Sequence, residues 1–161
     1  DEVEILDLRK IDGKVLDRFS GVFVVGGHGV MQDLLFSSEV RTFLRLANRK
    51  NVPVALVCHA PIVLARVADL FPAGTRVTGF TDEEEAKAHI SSALLKTTPQ
   101  QALTEAGFTF VNGGLWADHV LQFNSKRKVP FIVGQNPTSA TTTAQKLCDA
   151  ILARLDQDKP K

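Results

Sequence analysis

Cys58 and His59 stand side by side in VPVALVCHAPIVL, residues 52–64, with apolar residues on either side. The run before them predicts a strand, and the run from near Ala60 predicts a helix. A cysteine in such a sharp strand-to-helix turn occupies the place of a nucleophile, over a helix N-terminus. Backbone N–H groups and the helix dipole stabilise a thiolate there, so we expect a lowered pKa for Cys58. The alternative is a small buried hydrophobic residue, a common role for a lone cysteine.

His59 has the chemistry of a general base and acid, since imidazole titrates near neutral pH. Adjacent residues in a turn can point apart, so a histidine that hydrogen-bonds nearby backbone is the alternative. A third group must orient a catalytic imidazole, and the acidic run at 82–85 follows the next predicted strand. Carboxylates in the first turn of a helix also complement the helix dipole, and this interpretation suits most of the run.

The turn VGGHG, residues 25–29, lies at the end of another predicted strand. Its exposed backbone N–H groups suit a developing oxyanion, although glycine-rich turns also arise for steric reasons alone. The sequence contains no GxGxxG or GxxxxGK[ST] pattern, so it predicts neither a dinucleotide cofactor nor a P-loop nucleotide. The four histidines lack H-E-x-x-H spacing, so no catalytic metal is predicted either.

These residues need a scaffold, and short β-branched runs alternate with amphipathic ones along the chain. We predict strands at 21–25, 52–58, 75–80, 108–111 and 129–134, and helices at 37–50, 60–70, 81–90, 98–107 and 138–155. The opening DEVEILDL is a further candidate for an edge strand. The pattern predicts a doubly wound α/β fold with a parallel sheet covered on both faces. Ligands bind beyond the carboxyl ends of such strands, so VVGGHG, LVCHAP and FIVGQNP should share one rim.

Length and composition indicate a single globular domain. The 161 residues are 44% hydrophobic and 23% charged, with a formal net charge of +1. So small a charge favours neither nucleic acid nor an anionic membrane as partner, and no apolar run approaches the ~20 residues that cross a bilayer. The two cysteines are far apart in sequence and show no disulfide framework. We therefore expect a soluble, cytoplasmic protein.

Four motifs in order resemble one known family: GVFVVGGHGVMQDL, ALVCHAPIVL, VTGFTDEEE and GQNPTSATTTA. They are similar to the PfpI superfamily, in particular its heat-shock chaperone and glutathione-independent glyoxalase III branch. The resemblance runs from about Leu16 to Leu152. It implies a flavodoxin-like three-layer sandwich with a mainly parallel sheet, and a homodimer.

The resemblance also implies a function and its residues. Members of this branch convert methylglyoxal, a small aldehyde, to D-lactate through a cysteine hemithioacetal, and some are reported to act as protein deglycases. The implied catalytic residues are Cys58, His59 and Glu85, with Glu85 orienting the imidazole. The N–H groups of Gly27 and His59 would hold the oxyanion. The implied substrate-binding residues are Gly26, Gly27, His28 and Asn136.

The sequence departs from the family pattern at its start. Members normally begin with a further strand and helix that carry a glutamate bonded to the reactive thiol, and the roughly twenty residues before GVFVV do not match that unit. We therefore interpret residues 1–161 as one PfpI-like domain that is N-terminally incomplete. The alternative is a branch that has lost this strand and its glutamate and keeps the scaffold as a binding or chaperone module. Val25 also stands where proline is usual.

Other functions compete with the glyoxalase hypothesis. A stress-related holdase chaperone or a redox-sensing interaction protein would keep the fold without turnover. A peptidase of the PfpI type is a further alternative, although nothing in the sequence shapes a peptide cleft. A class I glutamine amidotransferase needs adjacent histidine and glutamate functions near the C-terminus, whereas His119 is followed by Val120 and Leu121.

Overall fold

A four-stranded, mainly parallel sheet forms the centre of the computed structural model, which describes residues 3–88 and 96–157. The strands of the described residues are β1 (Val22–Val24), β2 (Val54–Val57), β3 (Arg76–Val77), β4 (Thr109–Phe110), β5 (Val120–Asn124) and β6 (Pro130–Gly134). The central sheet has the order β1-β2-β6-β5, and only β5 runs antiparallel to its neighbour. The parallel strands β1, β2 and β6 are adjacent, so the three expected strand ends share one rim.

Helices surround this sheet. The α-helices of the described residues are α1 (Gly13–Leu16), α2 (Ser38–Arg49), α3 (Asp82–Lys87), α4 (Pro99–Glu105) and α5 (Ala140–Gln157). Short 3-10 segments span Leu8–Lys10, His28–Met31, Leu34–Phe36, Ala60–Leu70 and Pro137–Ser139. None of the helices in the described part of the chain has the length and apolar character needed to span a membrane.

The register of the sheet sorts its side chains onto two faces. Val54 and Phe131 are partners across β2 and β6, and Ala55 and Ile132 are the next pair. Because side chains alternate along a strand, the first pair joins the core beneath the 60–70 segment and α2, while the second packs under α5. Each face is thus covered by helices. This confirms the predicted flavodoxin-like sandwich.

Several local predictions are confirmed. The predicted strands at 21–25, 52–58 and 129–134 contain β1, β2 and β6, and the predicted helices at 37–50 and 138–155 contain α2 and most of α5. Gly107 ends the α4 region with a positive φ of 90°, as its place after the helix indicates. The prediction of a helix over 81–90 is met by α3 as far as Lys87, and its last two residues lie outside the described residues.

Strand pairing departs from the sequence prediction in two places. We missed β5, an antiparallel strand with only partial burial, because its residues VLQFN mix apolar and polar side chains. β3 and β4 pair with each other in a separate parallel sheet rather than joining the central one. β5 occupies the edge of β6, so neither β3 nor β4 joins the central sheet at that edge.

Two other predictions are wrong in detail. The described part of DEVEILDL forms no strand, and Asp7 instead caps the 3-10 turn at Leu8–Lys10. The helix predicted at 60–70 forms as 3-10 turns, with non-helical backbone at Val67. β-branched residues such as Ile62 and Val63 lower the α-helix propensity of this segment.

The aromatic packing around β6 should dominate the stability of the sheet. Phe131 is fully buried, and its ring centroid lies 4.8 Å from that of Phe71. We expect Phe131→Ala to lower the free energy of unfolding by about 3–5 kcal/mol, because it removes buried area and leaves a cavity. Urea denaturation measures the change. The control is Phe36→Ala, at a ring that is 55% exposed, where we expect a loss below about 1 kcal/mol. Equal losses in the two variants would contradict this account of the core.

Candidate active site

Cys58 directly follows β2 and has a backbone conformation that residues other than glycine rarely adopt, with φ at +65°. Its N–H donates to the Gly134 carbonyl at 3.0 Å, and its carbonyl accepts from the Phe80 N–H at 2.8 Å. The left-handed conformation costs about 1–2 kcal/mol, and these two hydrogen bonds to neighbouring segments hold it in place. The elbow therefore presents the Cys58 side chain at the carboxyl edge of the sheet.

The glycine turn after β1 lies directly against this elbow. A Cβ atom on Gly26 would come within 2.6 Å of the Val57 carbonyl oxygen and 2.9 Å of the His59 nitrogen, so only glycine fits there. Gly27 has φ at +111°, which also favours glycine. The backbone N–H groups of Gly27 and His59 act on the Cys58 thiol in the direction that lowers its pKa. Both predicted glycines thus belong to the surroundings of the thiol.

A chain of contacts joins Cys58, His59 and Glu85. The Cys58 Sγ lies 3.1 Å from His59 Nδ1, and His59 Nε2 lies 2.6 Å from Glu85 Oε1. An ionised carboxylate only accepts hydrogen bonds, so we assign the proton of neutral His59 to Nε2. The lone pair on Nδ1 then faces the thiol. Both ring nitrogens contact side chains, in contrast to the alternative of a histidine bonded to nearby backbone.

His28 binds the other oxygen of the same carboxylate. Its Nε2 lies 3.1 Å from Glu85 Oε2, and its ring centroid lies 4.1 Å from that of His59. Phe80 stacks on His59 as well, at 4.3 Å between centroids. The His59 imidazole, which is 1% exposed, is thereby held in one orientation. The His28 side chain is 31% exposed, so it links the buried pair to solvent.

Burial dominates the protonation of the site. It lowers the pKa of His59, and the hydrogen bond and charge of Glu85 oppose that shift only in part. Burial also raises the pKa of Cys58 to about 11, although the N–H groups of His59 and Gly27 act to lower it. The charges of Glu84 and Glu85 push the thiol pKa in the same upward direction. The prediction of a lowered thiol pKa is therefore wrong for the free protein, in which a neutral thiol faces a neutral imidazole.

Glu84 is a fully buried carboxylate beside this chain of contacts. Its Oε2 accepts from the N–H and hydroxyl of Thr81, in a capping box at the start of α3. Its Oε1 accepts from the Trp116 N–H, the Gln135 side chain and the Asn136 side chain, at 2.8–3.0 Å. One carboxylate therefore connects the start of α3, the loop at Trp116 and the end of β6. Sequence reasoning treated Glu84 only as part of an acidic helix start.

Asn136 has a different place from the one we predicted. It is fully buried, and its Nδ2 donates to Glu84 Oε1 and to the Ala117 carbonyl. Its Oδ1 accepts from the Ser139 N–H. Both hydrogens of the amide are used within the protein, so Asn136 has no free donor for a substrate. The side chain supports the wall of the site instead.

Phe80 and Trp116 are site residues that sequence reasoning missed. Phe80 is buried between His59 and Trp116, with 5.7 Å between the Phe80 and Trp116 centroids. Trp116 is 42% exposed and has a positive φ of 56°. The available signal was the single tryptophan of the chain within the glycine-containing stretch VNGGLWADH, since binding and catalytic residues often lie on loops.

The contribution of the hydrogen bonds to Glu84 to stability can be tested by removing the charge of this side chain alone. We expect Glu84→Gln to lower the free energy of unfolding by about 3 kcal/mol, because the amide nitrogen that replaces one oxygen cannot accept from those donors. Urea denaturation measures the loss. The matched control is Glu83→Gln, the same change at the neighbouring exposed residue, with an expected effect within about 0.5 kcal/mol. A similar small effect of both variants would contradict the role given to Glu84.

The protonation of Cys58 can be followed by alkylation in a Cys148→Ser variant, where Cys58 is the remaining thiol. Because burial raises its pKa to about 11, the alkylation rate of the folded protein should still be rising at about pH 10. In urea, the alkylation rate of the same thiol should follow the profile of an ordinary cysteine, with a midpoint at about pH 8.5. Iodoacetamide labelling followed by mass spectrometry measures both curves. A plateau by neutral pH in the folded protein would show that the thiol is already ionised.

Solved structures and curated proteins resemble this chain. A glutathione-independent glyoxalase of Schizosaccharomyces pombe is 29% identical over 149 residues, which are 86% of this chain and 59% of that protein. A crystal structure that carries a target label is 32% identical, and the match covers 84% of this chain and 61% of that one, with a TM-score of 0.74. Glyoxalase III of Candida albicans, at 24% identity, shares the fold with a TM-score of 0.73 over 89% of this chain and 60% of its own.

The chain spans about three fifths of the length of these relatives. The sequence model of the DJ-1/PfpI family matches residues 9–111, which include the glycine turn, the Cys58 elbow and the start of α3. That match covers more than half of the chain and every residue of the contact chain from Cys58 through His59 to Glu85. The chain therefore belongs to the DJ-1/PfpI family.

Proposed function

We propose that this chain carries the catalytic residues of a glutathione-independent glyoxalase, which converts methylglyoxal to D-lactate. The observation that carries the proposal is the contact chain from the Cys58 sulfur through both nitrogens of His59 to Glu85, at 3.1 and 2.6 Å. A nucleophile, a base and an orienting acid are in hydrogen-bond reach of one another, as covalent catalysis requires. The names of the yeast relatives support the choice of substrate.

In the first step the thiol adds to the aldehyde carbon of methylglyoxal. The S–C bond forms, the carbonyl electron pair moves to oxygen, and the thiol proton passes to His59 Nδ1. Because thiol and imidazole are both neutral in the free protein, this proton moves as the S–C bond forms. The N–H groups of Gly27 and His59 stabilise the developing oxyanion, which then takes the proton to give a hemithioacetal.

In the second step the substrate rearranges internally. His59 removes the proton from the former aldehyde carbon, and an enediolate forms. The proton returns at the neighbouring carbon, which gives a hydroxyl there and a thioester at the sulfur. Water then hydrolyses the thioester, releasing lactate and the free thiol. One carbon is oxidised while its neighbour is reduced, so no external oxidant is needed. Glu85 stabilises the imidazolium that His59 becomes in each proton transfer, through the 2.6 Å contact.

Loss of the thiol should abolish this reaction. We expect Cys58→Ser to lower the rate of methylglyoxal consumption without glutathione by at least about 10³-fold, and Glu85→Gln by at least about 10²-fold. The measurement is an assay of D-lactate formation. Cys148→Ser is the matched control. Because Cys148 is exposed on α5, its replacement should leave the rate of D-lactate formation unchanged.

Unchanged turnover in Cys58→Ser would overturn the proposed mechanism. If the parent protein forms no lactate but suppresses the aggregation of an unfolded client, and Cys58→Ser does the same, the chaperone alternative is supported instead.

A further inference from the structure

We infer that His28, His59 and Glu85 form a binding site for a divalent transition-metal ion of the zinc class, and that a bound ion switches the thiol site off. The inhibitory consequence rests on the proposed function, whereas the binding itself does not. The sequence search for metal spacing missed this group, because its members lie 31 and 26 residues apart on three different segments. Only the fold brings them together.

The geometry of the three side chains is close to that of a metal site. One ligand atom from each lies within 4.8 Å of the other two. In a tetrahedral zinc site with Zn–N bonds of about 2.0–2.1 Å, two nitrogen ligands lie roughly 3.3 Å apart. An inward movement of at most about 1.5 Å would therefore close the site. His28 can supply it, since its side chain is 31% exposed and follows Gly27 at the start of a four-residue 3-10 turn.

The donor set indicates which ions fit. Two imidazole nitrogens and one carboxylate oxygen suit zinc, cobalt, nickel or copper rather than calcium or magnesium, which prefer oxygen ligands. The Nε2 atoms of His28 and His59 already face different oxygens of one carboxylate. A bound ion would take the place of the two bridging hydrogens. The charge of Glu84 acts on His59 as well and favours a cation at this place.

Metal binding would reverse the arrangement of protons on His59. The ion takes the Nε2 lone pair, so the proton of the neutral ring moves to Nδ1. Nδ1 lies 3.1 Å from the Cys58 sulfur, and its new N–H would donate to that sulfur. Nδ1 then has no lone pair with which to accept the thiol proton. The same contact that activates the thiol in the metal-free protein would block it in the metal-bound one.

The binding is tested first without any enzyme assay. Zinc chloride is titrated calorimetrically into the protein, and cobalt chloride is followed by its visible ligand-field absorption. We expect one ion per chain, with affinity at least about 10-fold weaker in His28→Gln and in Glu85→Gln. The control is Cys148→Ser, which removes an exposed thiol and should bind as tightly as the parent. Circular dichroism establishes that each variant is folded.

The outcomes separate the two parts of the inference. Failure of the parent to bind one ion, or unchanged affinity in folded His28→Gln and Glu85→Gln, would overturn the site. If zinc binds and lowers methylglyoxal turnover at the same concentration, and a chelator restores it, the switch is supported. If zinc binds while turnover continues unchanged, the switch is overturned. If zinc binds with these residue requirements but the metal-free protein has no turnover, the site stands and the proposed function fails.

Discussion

The buried carboxylate of Glu84 accepts hydrogen bonds from three segments that are distant in sequence: the turn before α3, the loop at Trp116 and the residues after β6. Burial of a carboxylate is costly unless donors satisfy it, so separating these segments from Glu84 would lower the stability of the fold. The neighbouring residue on the same helix is Glu85. The hydrogen bonds to Glu84 therefore also fix the position of Glu85 relative to His59.

The same burial decides the chemistry of the thiol. Removal from water disfavours charge on both Cys58 and His59, and the two glutamates of α3 disfavour a thiolate further. The resting site is consequently a neutral hydrogen-bonded pair rather than an ion pair. In the proposed reaction, the addition of the substrate to the sulfur is what drives proton transfer. A metal ion bound by His28, His59 and Glu85 would act on the same proton transfer, because it would determine which nitrogen of His59 carries the ring proton.

Elements made by a strong local pattern could be predicted from the sequence. α2 combines a serine cap with a helical apolar stripe, β2 is a short buried run, and β6 is buried except at its first residue. β5 lacks such a pattern, because its residues are only partly buried at the edge of the sheet. The pairing of β3 with β4 also depends on which edge of the central sheet is already occupied, and that is a property of the assembled sheet.

The sequence by itself determined the alternation of strands and helices, the thiol beside an imidazole at a strand end, and the motifs that identify the family. Local spacing carries this information because backbone conformation and side-chain periodicity are short-range properties. The tertiary structure alone decided that Asn136 points to Glu84, that His28 shares the carboxylate of Glu85, and that the thiol is protonated. These depend on burial and on contacts between residues distant in the chain, which no local pattern encodes.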